Sequence, residues 1–338
     1  MRYDFGSDNT AGMAPAALEG LVSANSGFAK AYGSDDVTAR AADEIRRRLD
    51  ADAEIRFVFS GTAANAIALS MLAFPHESVL AHHAAHVCTD ETGAPGFFGQ
   101  GLGLTGLPGF SGKIDARALA AVLEEPEVGH RQPPAALSLT QSTEYGTVYS
   151  VEELRHLIEP VKARGFGVHM DGARLANAAA AGFDLTQIAR LGVDVLVFGG
   201  AKAGGLCTEA LVMFDKSLAR RVDNRLKQAG QTASKTRFLA APMLGLLESG
   251  AWEGGAAHAN LMAQALASGI AMRTPFVLAH PVEANAVFIR MPVKAHEALT
   301  AAGWACYRFD DGSVRFVCSW ATTQDAVDEL LEEMSKLR

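Results

Sequence analysis

The sequence predicts an α/β fold: a mostly parallel sheet flanked by helices, followed by a small C-terminal α+β domain. Three observations carry this expectation. Apolar, strand-like runs alternate with helical patterns through the middle of the 338 residues. Such repetition implies parallel pairing with helices on both faces. Chemically distinctive residues stand just past the ends of several of these runs, where open α/β sheets bind their ligands. After residue 250 the pattern changes to strand, helix, strand, strand, helix. A chain of this length buries a large core and has room for two domains, here taken as 1–250, with the N-terminal segment, and 251–338.

The elements follow in order. Residues 55–59 read as a strand, and 63–74, packed with Ala, Leu, Ile and Met, as a helix. Residues 78–81 form a short second strand. The 114–125 segment has helical spacing, with Ile114, Leu119 and Leu123 as candidate buried positions. A strand at 135–140 precedes a helix at 151–164; Ser150 is its N-cap, Glu153 completes a capping box, and Gly165 stops it. Next come an apolar run ending at Asp171, a short helix at 185–190, a second run ending just before Lys202, and a strand at 210–214. Helical patterns cover 234–250 and 256–273. The last domain reads as strand 286–290, helix 295–302, strands 305–309 and 313–318, and helix 326–337. Asp310-Asp311-Gly312 is a hairpin signal between its last two strands.

Composition narrows the function classes. Half of the residues are hydrophobic and a fifth are charged, as in ordinary globular enzymes. A net charge of −8 disfavours a nucleic-acid partner. The longest basic run, Arg46-Arg47-Arg48, shares its helix with Glu44 and is followed by Asp50. No eighteen-residue apolar stretch predicts a membrane span. The opening Met-Arg-Tyr-Asp-Phe-Gly-Ser-Asp lacks the apolar centre of a secretory signal. Cys88, Cys207, Cys306 and Cys318 form no C-x-x-C pair. This argues against a disulfide framework or structural zinc, and for a reducing compartment, with the cytoplasm as the expected location.

The candidate site residues are of three chemical kinds. Ser60-Gly61-Thr62-Ala63-Ala64-Asn65 joins a strand to a helix, so free N–H groups and a hydroxyl face one spot, where the helix dipole also favours an anion. The plainer reading is an ordinary turn with Thr62 near a cap. Asn65, one turn in, can reach the same spot. Asp171 follows alternating apolar residues and precedes Gly172; it is either an acid for a ring nitrogen or a helix cap. Lys202 is flanked by Gly199, Gly200, Gly204 and Gly205, which leave room for a cofactor near the backbone. The plainer reading is a lysine on a flexible turn. An anion cradle, an acid and an amine together are what a pyridoxal phosphate site needs. Arg174 offers a bidentate partner for a substrate carboxylate, or a surface ion pair. Arg315, between Val314 and Phe316, faces away from both and reads equally as solvent-exposed. His86 has three readings: stacking on a pyridine ring, sharing a metal with His82 on one helix face, or a polar loop residue.

The sequence resembles the low-specificity L-threonine aldolases, and most of all their phenylserine-aldolase-like branch, essentially end to end. The most specific pieces are Gly6-Ser7-Asp8-Asn9, Ala31-Tyr32-Gly33-Ser34-Asp35, Ser60 to Asn65, Ala85-His86-Val87, His169-Met170-Asp171-Gly172-Ala173-Arg174, Phe198-Gly199-Gly200-Ala201-Lys202 and Lys227-Gln228-Ala229-Gly230. That resemblance implies an aspartate aminotransferase-like fold of the fold type I pyridoxal 5'-phosphate enzymes. It implies that Lys202 carries the cofactor, Asp171 meets its ring nitrogen, His86 stacks on the ring, and Gly61 and Thr62 hold the phosphate. Ser7, Arg174 and Arg315 would take the amino-acid carboxylate. Tyr32 and Lys227 would stand near the active site at a subunit interface, in a homodimer or homotetramer whose sites are shared.

Two departures stand out. Where many threonine aldolases carry a histidine near the substrate hydroxyl, this chain has Ser142-Thr143-Glu144-Tyr145-Gly146, so Glu144 joins His86 as a candidate base. The lysine is followed by Ala203-Gly204-Gly205, a minor variation. The implied reaction is cleavage of L-threonine, L-allo-threonine or relatives such as phenylserine to glycine and an aldehyde. The alternatives are another fold type I reaction (β-elimination or transamination), a metal hydrolase built on His82, His86 and Asp90, and a non-catalytic binding protein.

Overall fold

A computed structural model describes residues 1–309 and 311–337. Its large sheet has seven strands: β1 (Glu54–Val58), β2 (Ser78–His82), β3 (Gly103–Leu107), β4 (Pro134–Thr140), β5 (Gly167–Gly172), β6 (Val195–Gly199) and β7 (Glu209–Met213). Their spatial order is β1-β7-β6-β5-β4-β2-β3. The pairs from β6 through β3 are parallel, while β7 runs antiparallel to both β6 and β1. Six strands therefore share one direction, and their C-terminal ends lie along one edge with the N-terminal end of β7.

Local chemistry explains where the helices start. Ser60 caps the Gly61–Leu72 helix by accepting from the Ala63 N–H at 3.2 Å. That helix buries Ala64, Ala66, Ile67, Ala68 and Leu69, on more than one face, because it lies under the sheet rather than at its rim. The Ser150–Glu153 capping box forms at the head of Val151–Ala163, and Gly165 takes the left-handed conformation just past its end. Gly250, with φ of 75°, separates Arg237–Ser249 from the long Ala251–Arg273 helix.

Trp252 at the start of that long helix is fully buried, stacks on Phe198 at 4.6 Å, and donates its indole N–H to the Gly199 carbonyl at 2.8 Å. Truncating a buried tryptophan costs about 3–5 kcal/mol, so this contact pins the end of β6. Further along, the same helix packs Leu266 and Ile270 into a second core with Val287, Ile289, Val314, Phe316 and Leu330. The second sheet is antiparallel, in the order β10-β11-β9-β8: β8 (Val277–Leu278), β9 (Ala286–Arg290), β10 (Tyr307–Arg308) and β11 (Ser313–Val317). Phe5 of the N-terminal segment is buried in this second core.

Some expected boundaries shift. The helix expected from Ile114 begins at Ala116, because Asp115 caps it and the Ile114 N–H goes to the Tyr149 hydroxyl at 2.7 Å. β3, with the sequence Gly-Leu-Thr-Gly-Leu, is an edge strand whose glycines give no strand signal. β8 is only two residues long. In the hairpin signal, Asp310 lies outside the described residues; Gly312 takes φ of 79°, and Asp311 accepts from the Ser313 N–H at 2.9 Å. His82 ends β2 and His86 opens a four-residue helix, so the two do not share a helix face.

Candidate active site

A cavity of about 610 Å³ opens at the edge where the strand ends meet. Ser60, Gly61, Thr62 and Asn65 line it from the turn after β1, and Thr140, Ser142 and Glu144 from the segment after β4. Asp171 and Arg174 enter from the end of β5, Lys202 from the turn after β6, and Glu209 from the start of β7. Nothing lies within 4 Å of where a Cβ would stand on Gly61, so the space before the first helical N–H groups is open.

Asp171 is buried. Its Oδ1 accepts from the Ala173 N–H at 2.9 Å and its Oδ2 from Asn65 Nδ2 at 2.8 Å. Burial pushes its pKa up, but the Lys202 ammonium and these donors outweigh it and hold the carboxyl below the usual carboxylate range. Two residues earlier on the same face of β5, His169 is buried with its Nδ1 2.9 Å from the Ser138 hydroxyl. Burial lowers that imidazole to about 4, so it stays neutral beneath Asp171.

The same Asn65 amide nitrogen donates to Glu91 Oε1 at 2.8 Å, and His86 Nδ1 lies 2.9 Å from that oxygen. Asp171, Asn65, Glu91 and His86 thus form one hydrogen-bonded chain. Glu91 raises the His86 pKa against the opposing effect of burial. Glu91 itself is raised, by burial first. With Nδ1 committed, His86 Nε2 is the nitrogen left for the cavity.

Lys202 is partly buried on the cavity wall. Desolvation and the Arg174 guanidinium lower its pKa, against Asp8, Asp171 and Glu209, which raise it. An amine with a lowered pKa is a better nucleophile near neutrality. Glu144 is likewise partly buried. Its Oε1 accepts from the His86 N–H at 2.8 Å and from the Thr140 hydroxyl at 3.0 Å, and its Oε2 is buried without a partner. Burial raises its pKa.

Arg174 is committed on one edge to a residue given no role by sequence reading. Its Nε donates to Asp8 Oδ2 at 2.6 Å and its Nη2 to Asp8 Oδ1 at 3.0 Å, a bidentate buried pair. Asp8 also accepts from Asn285 Nδ2 at 3.2 Å. Burial acts to raise Asp8, and Arg174 and Lys202 overcome it, so the carboxyl is held low. Arg315 is not turned to water, the plainer expectation for it. It donates to the Gly6 carbonyl at 3.3 Å, lies 5.0 Å from the Phe309 ring centroid, and has a buried Nε without a partner. Burial, then the neighbouring Arg174, lower it to about 10. Both arginines feel the Asp8 carboxylate, but only Arg174 lines the cavity.

Other expected residues stand elsewhere. Ser7 is not on the cavity wall: its hydroxyl caps the Asp8–Thr10 turn, accepting from the Asn9 N–H at 3.2 Å. Tyr32 and Lys227 are also off the wall and meet each other, with the ammonium 5.3 Å from the ring centroid and Tyr32 mostly exposed. His82 uses both ring nitrogens on backbone, at Gly109 O (3.3 Å) and the Ala84 N–H (3.1 Å). Among the described residues, no three His, Cys, Asp or Glu side chains are placed to share a metal ion.

Sequence reading gave no role to Asp8, Glu91 or Glu209. Asp8 falls within a motif it singled out and Glu91 stands five residues past His86, yet nothing in their spacing says that they meet Arg174 and His86 in space.

The donor set fits pyridoxal phosphate. Open N–H groups at a helix start suit its phosphate, an ionised buried Asp171 suits its ring nitrogen, a lowered amine at Lys202 suits its aldehyde, and the His86 ring suits its face. Of the remaining groups, Arg174 and Glu144 line the cavity and can hold an anion and move a proton beside it, while Arg315, like Ser7, is off the wall.

Comparisons with known proteins agree with this chemistry. The model of the family described as beta-eliminating lyase matches residues 4–294. A low specificity L-threonine aldolase of a Pseudomonas species is 44% identical over 98% of this chain and 96% of its own. The structure of Leishmania major threonine aldolase superposes with a TM-score of 0.92 at 30% identity, over 99% of both chains. Aspartate aminotransferase from Thermus thermophilus shares the fold, with a TM-score of 0.70 at 18% identity over 98% of this chain and 91% of its own. The chain belongs to the beta-eliminating lyase family and groups there with the low-specificity L-threonine aldolases.

Proposed function

We propose that this cavity binds pyridoxal 5'-phosphate and cleaves L-threonine and related β-hydroxy-α-amino acids, phenylserine among them, to glycine and an aldehyde. The observation that carries the reading is the convergence of Lys202, Asp171 and the Gly61 turn on one cavity, alongside the likeness to threonine aldolases over nearly the whole chain. Lys202 holds the cofactor through its aldehyde. The N–H groups of Gly61 and Thr62 bind the phosphate, Asp171 keeps a proton on the ring nitrogen, and His86 covers the ring. When bound, the cofactor supplies the electron sink that takes up the pair left by the breaking Cα–Cβ bond.

The protein's own part is orientation and proton transfer. The free edge of Arg174 would hold the substrate carboxylate, with Arg315 off the cavity wall as a second candidate for it, and so fix how the amino acid lies in the cavity. Glu144 Oε2, buried and unpartnered, takes the β-hydroxyl proton. Its raised pKa makes it a stronger base than an ordinary carboxylate. A placed base of this kind contributes about a hundred- to ten-thousand-fold. A second subunit completes the site in a homodimer or homotetramer, and Tyr32 and Lys227 are its contribution. The four cysteines are unpaired, in keeping with a reducing cytoplasm; among the described residues no helix is long and apolar enough to cross a membrane.

The test is chemical. Purified protein is expected to be yellow, and borohydride to bleach it and leave the cofactor mass on the peptide containing Lys202. Threonine should give glycine and acetaldehyde. Ammonia and a keto acid as the main products would overturn the aldolase reading in favour of β-elimination. Wild-type cleavage rates in Lys202→Ala would overturn the site.

A further inference from the structure

Glu209 lines the cavity wall, and the mechanism above gives it no part. It opens β7, paired in register with Gly199 at the end of β6 on one side and Val58 at the end of β1 on the other. The next residues on those neighbours lead to the lysine turn and to the phosphate turn. Glu209 therefore stands between the two.

Its contacts are specific. Oε2 accepts from the Gly200 N–H at 3.1 Å, and the carboxyl also accepts from the Ala201 backbone. These are the two N–H groups immediately before Lys202. The turn has no slack elsewhere. A Cβ on Gly200 would stand 2.4 Å from Met243 Cε and 2.9 Å from the Thr208 carbonyl, and one on Gly205 would stand 2.6 Å from the Gly200 carbonyl. Trp252 holds the Gly199 carbonyl from the other face at 2.8 Å. The backbone that carries the lysine is thus clamped by one indole and one carboxyl.

We propose that Glu209 is a positioning residue for Lys202 and that its protonation state governs how tightly the cavity holds a phosphate-bearing cofactor. The charge balance of the wall supports the second half. Four carboxyl groups (Asp8, Glu144, Asp171 and Glu209) line the cavity against Arg174, Lys202 and the His86 ring. Asp8 is paired with Arg174, and Asp171 is held ionised by Lys202. Glu209 has no ion-pair partner among the described residues.

The ionisable groups that face Glu209 are Lys202 from the turn after β6, which favours its ionisation, and Asp171 from the end of β5, which opposes it. The turn after β1 brings only Phe59, Ser60, Gly61 and Thr62 to the wall, none of them charged. Burial dominates and raises the Glu209 pKa to about 8. At neutral pH the group is a carboxylic acid that still accepts both N–H groups through its carbonyl oxygen. Above that pH it becomes an anion beside a phosphate that is already dianionic. By linkage, if bound phosphate raises this pKa by about one unit, affinity falls about tenfold once the pH passes both values.

The inference rests on the cofactor reading, and one experiment separates the two. Apoprotein, wild type and Glu209→Gln, is titrated with pyridoxal phosphate and with unphosphorylated pyridoxal at pH 7 and pH 9, followed by tryptophan quenching and visible absorbance. Wild type should bind pyridoxal phosphate about fivefold more weakly at pH 9 relative to pyridoxal, because pH 9 passes the first value and only reaches the second. Glu209→Gln should match wild type within about twofold at pH 7 and lose the extra drop, because its amide oxygen still accepts the N–H groups and never ionises. A tenfold loss in Glu209→Gln at pH 7, or an unchanged drop at pH 9, overturns the proposal. If that variant does not fold, the wild-type ratio of the two ligands decides: a ratio constant with pH overturns it. Wild type that binds neither ligand refutes the cofactor reading itself.

Discussion

The two sides of the cavity are built differently. The wall of Asp171, Asn65, Glu91 and His86 is a continuous hydrogen-bonded chain with links of 2.8–2.9 Å. Its members sit on β5 and on the helix and loop that follow β1 and β2, all in the large sheet's layers. The opposite corner joins pieces far apart in sequence: Asp8 from the N-terminal segment, Arg174 after β5, and Asn285 and Arg315 from the second sheet's region. The first wall is fixed by strand ends within one core. The second exists only when the N-terminal segment and two cores are packed together. A cofactor that must stay put suits the first construction, and a substrate that must come and go suits the second.

The largest effect that sharpens this contrast is expected on the fixed wall. Asp171→Asn keeps the shape and the hydrogen bond from Ala173 but loses the charge that, in the proposed reading, would hold a proton on the ring nitrogen. Cleavage should fall about a thousandfold, within the range for one proton-managing group, with the melting temperature little changed. Turnover within tenfold of wild type would place the ring nitrogen elsewhere.

On the assembled corner the loss should fall on binding. Arg315→Met keeps an unbranched stem of similar length and removes the guanidinium, which lies over the Phe309 and Tyr307 rings. One charge-assisted contact is worth about 1.5–3 kcal/mol, so KM for threonine should rise about 10- to 150-fold with kcat nearly intact. A fall in kcat at unchanged KM would mean that Arg315 acts in the transition state and not as a substrate clamp.

Glu91 tests whether the hydrogen-bonded chain sets the state of His86. Glu91 raises the His86 pKa, so Glu91→Gln should lower it. If the reaction needs the neutral ring, the acid limb of the kcat/KM profile must then move to lower pH, with a maximal rate down by about tenfold or less. An acid limb that stays in place would show that His86 is not the titrating group.

The contrast also explains what the sequence made legible. The large sheet and the positions of Asp171, Lys202 and the Gly61 turn were readable because each lies at the end of an apolar run, and such ends converge by topology. Ser150 and Glu153 announced their helix because capping is local. Asp8 facing Arg174 was not readable, since 166 positions separate the partners and no periodicity spans them. Arg315 misled for a related reason. Alternation along β11 does turn it away from Val314 and Phe316, but the face opposite them is covered by the N-terminal segment, which contributes the Gly6 carbonyl. Ser7 was grouped with the carboxylate binders by its motif, whereas the wall position belongs to its neighbour Asp8.

That neighbour relation gives the smallest expected effect. The Ser7 hydroxyl caps the Asp8–Thr10 turn and lies 3.4 Å from Asp8 Oδ1, so it shapes the backbone that presents Asp8. Its partner N–H, on Asn9, is solvent-exposed, and water can replace the hydroxyl there. Losing such a cap costs about 0.5–2 kcal/mol, toward the low end at exposed sites. Ser7→Ala should therefore raise KM by about threefold or less and leave kcat unchanged, because Asp8 stays tied to both Arg174 and Asn285. A KM rise approaching that of Arg315→Met would mean that Ser7 turns its hydroxyl to the substrate carboxylate on binding, and the assembled corner would then close around its ligand instead of standing ready for it.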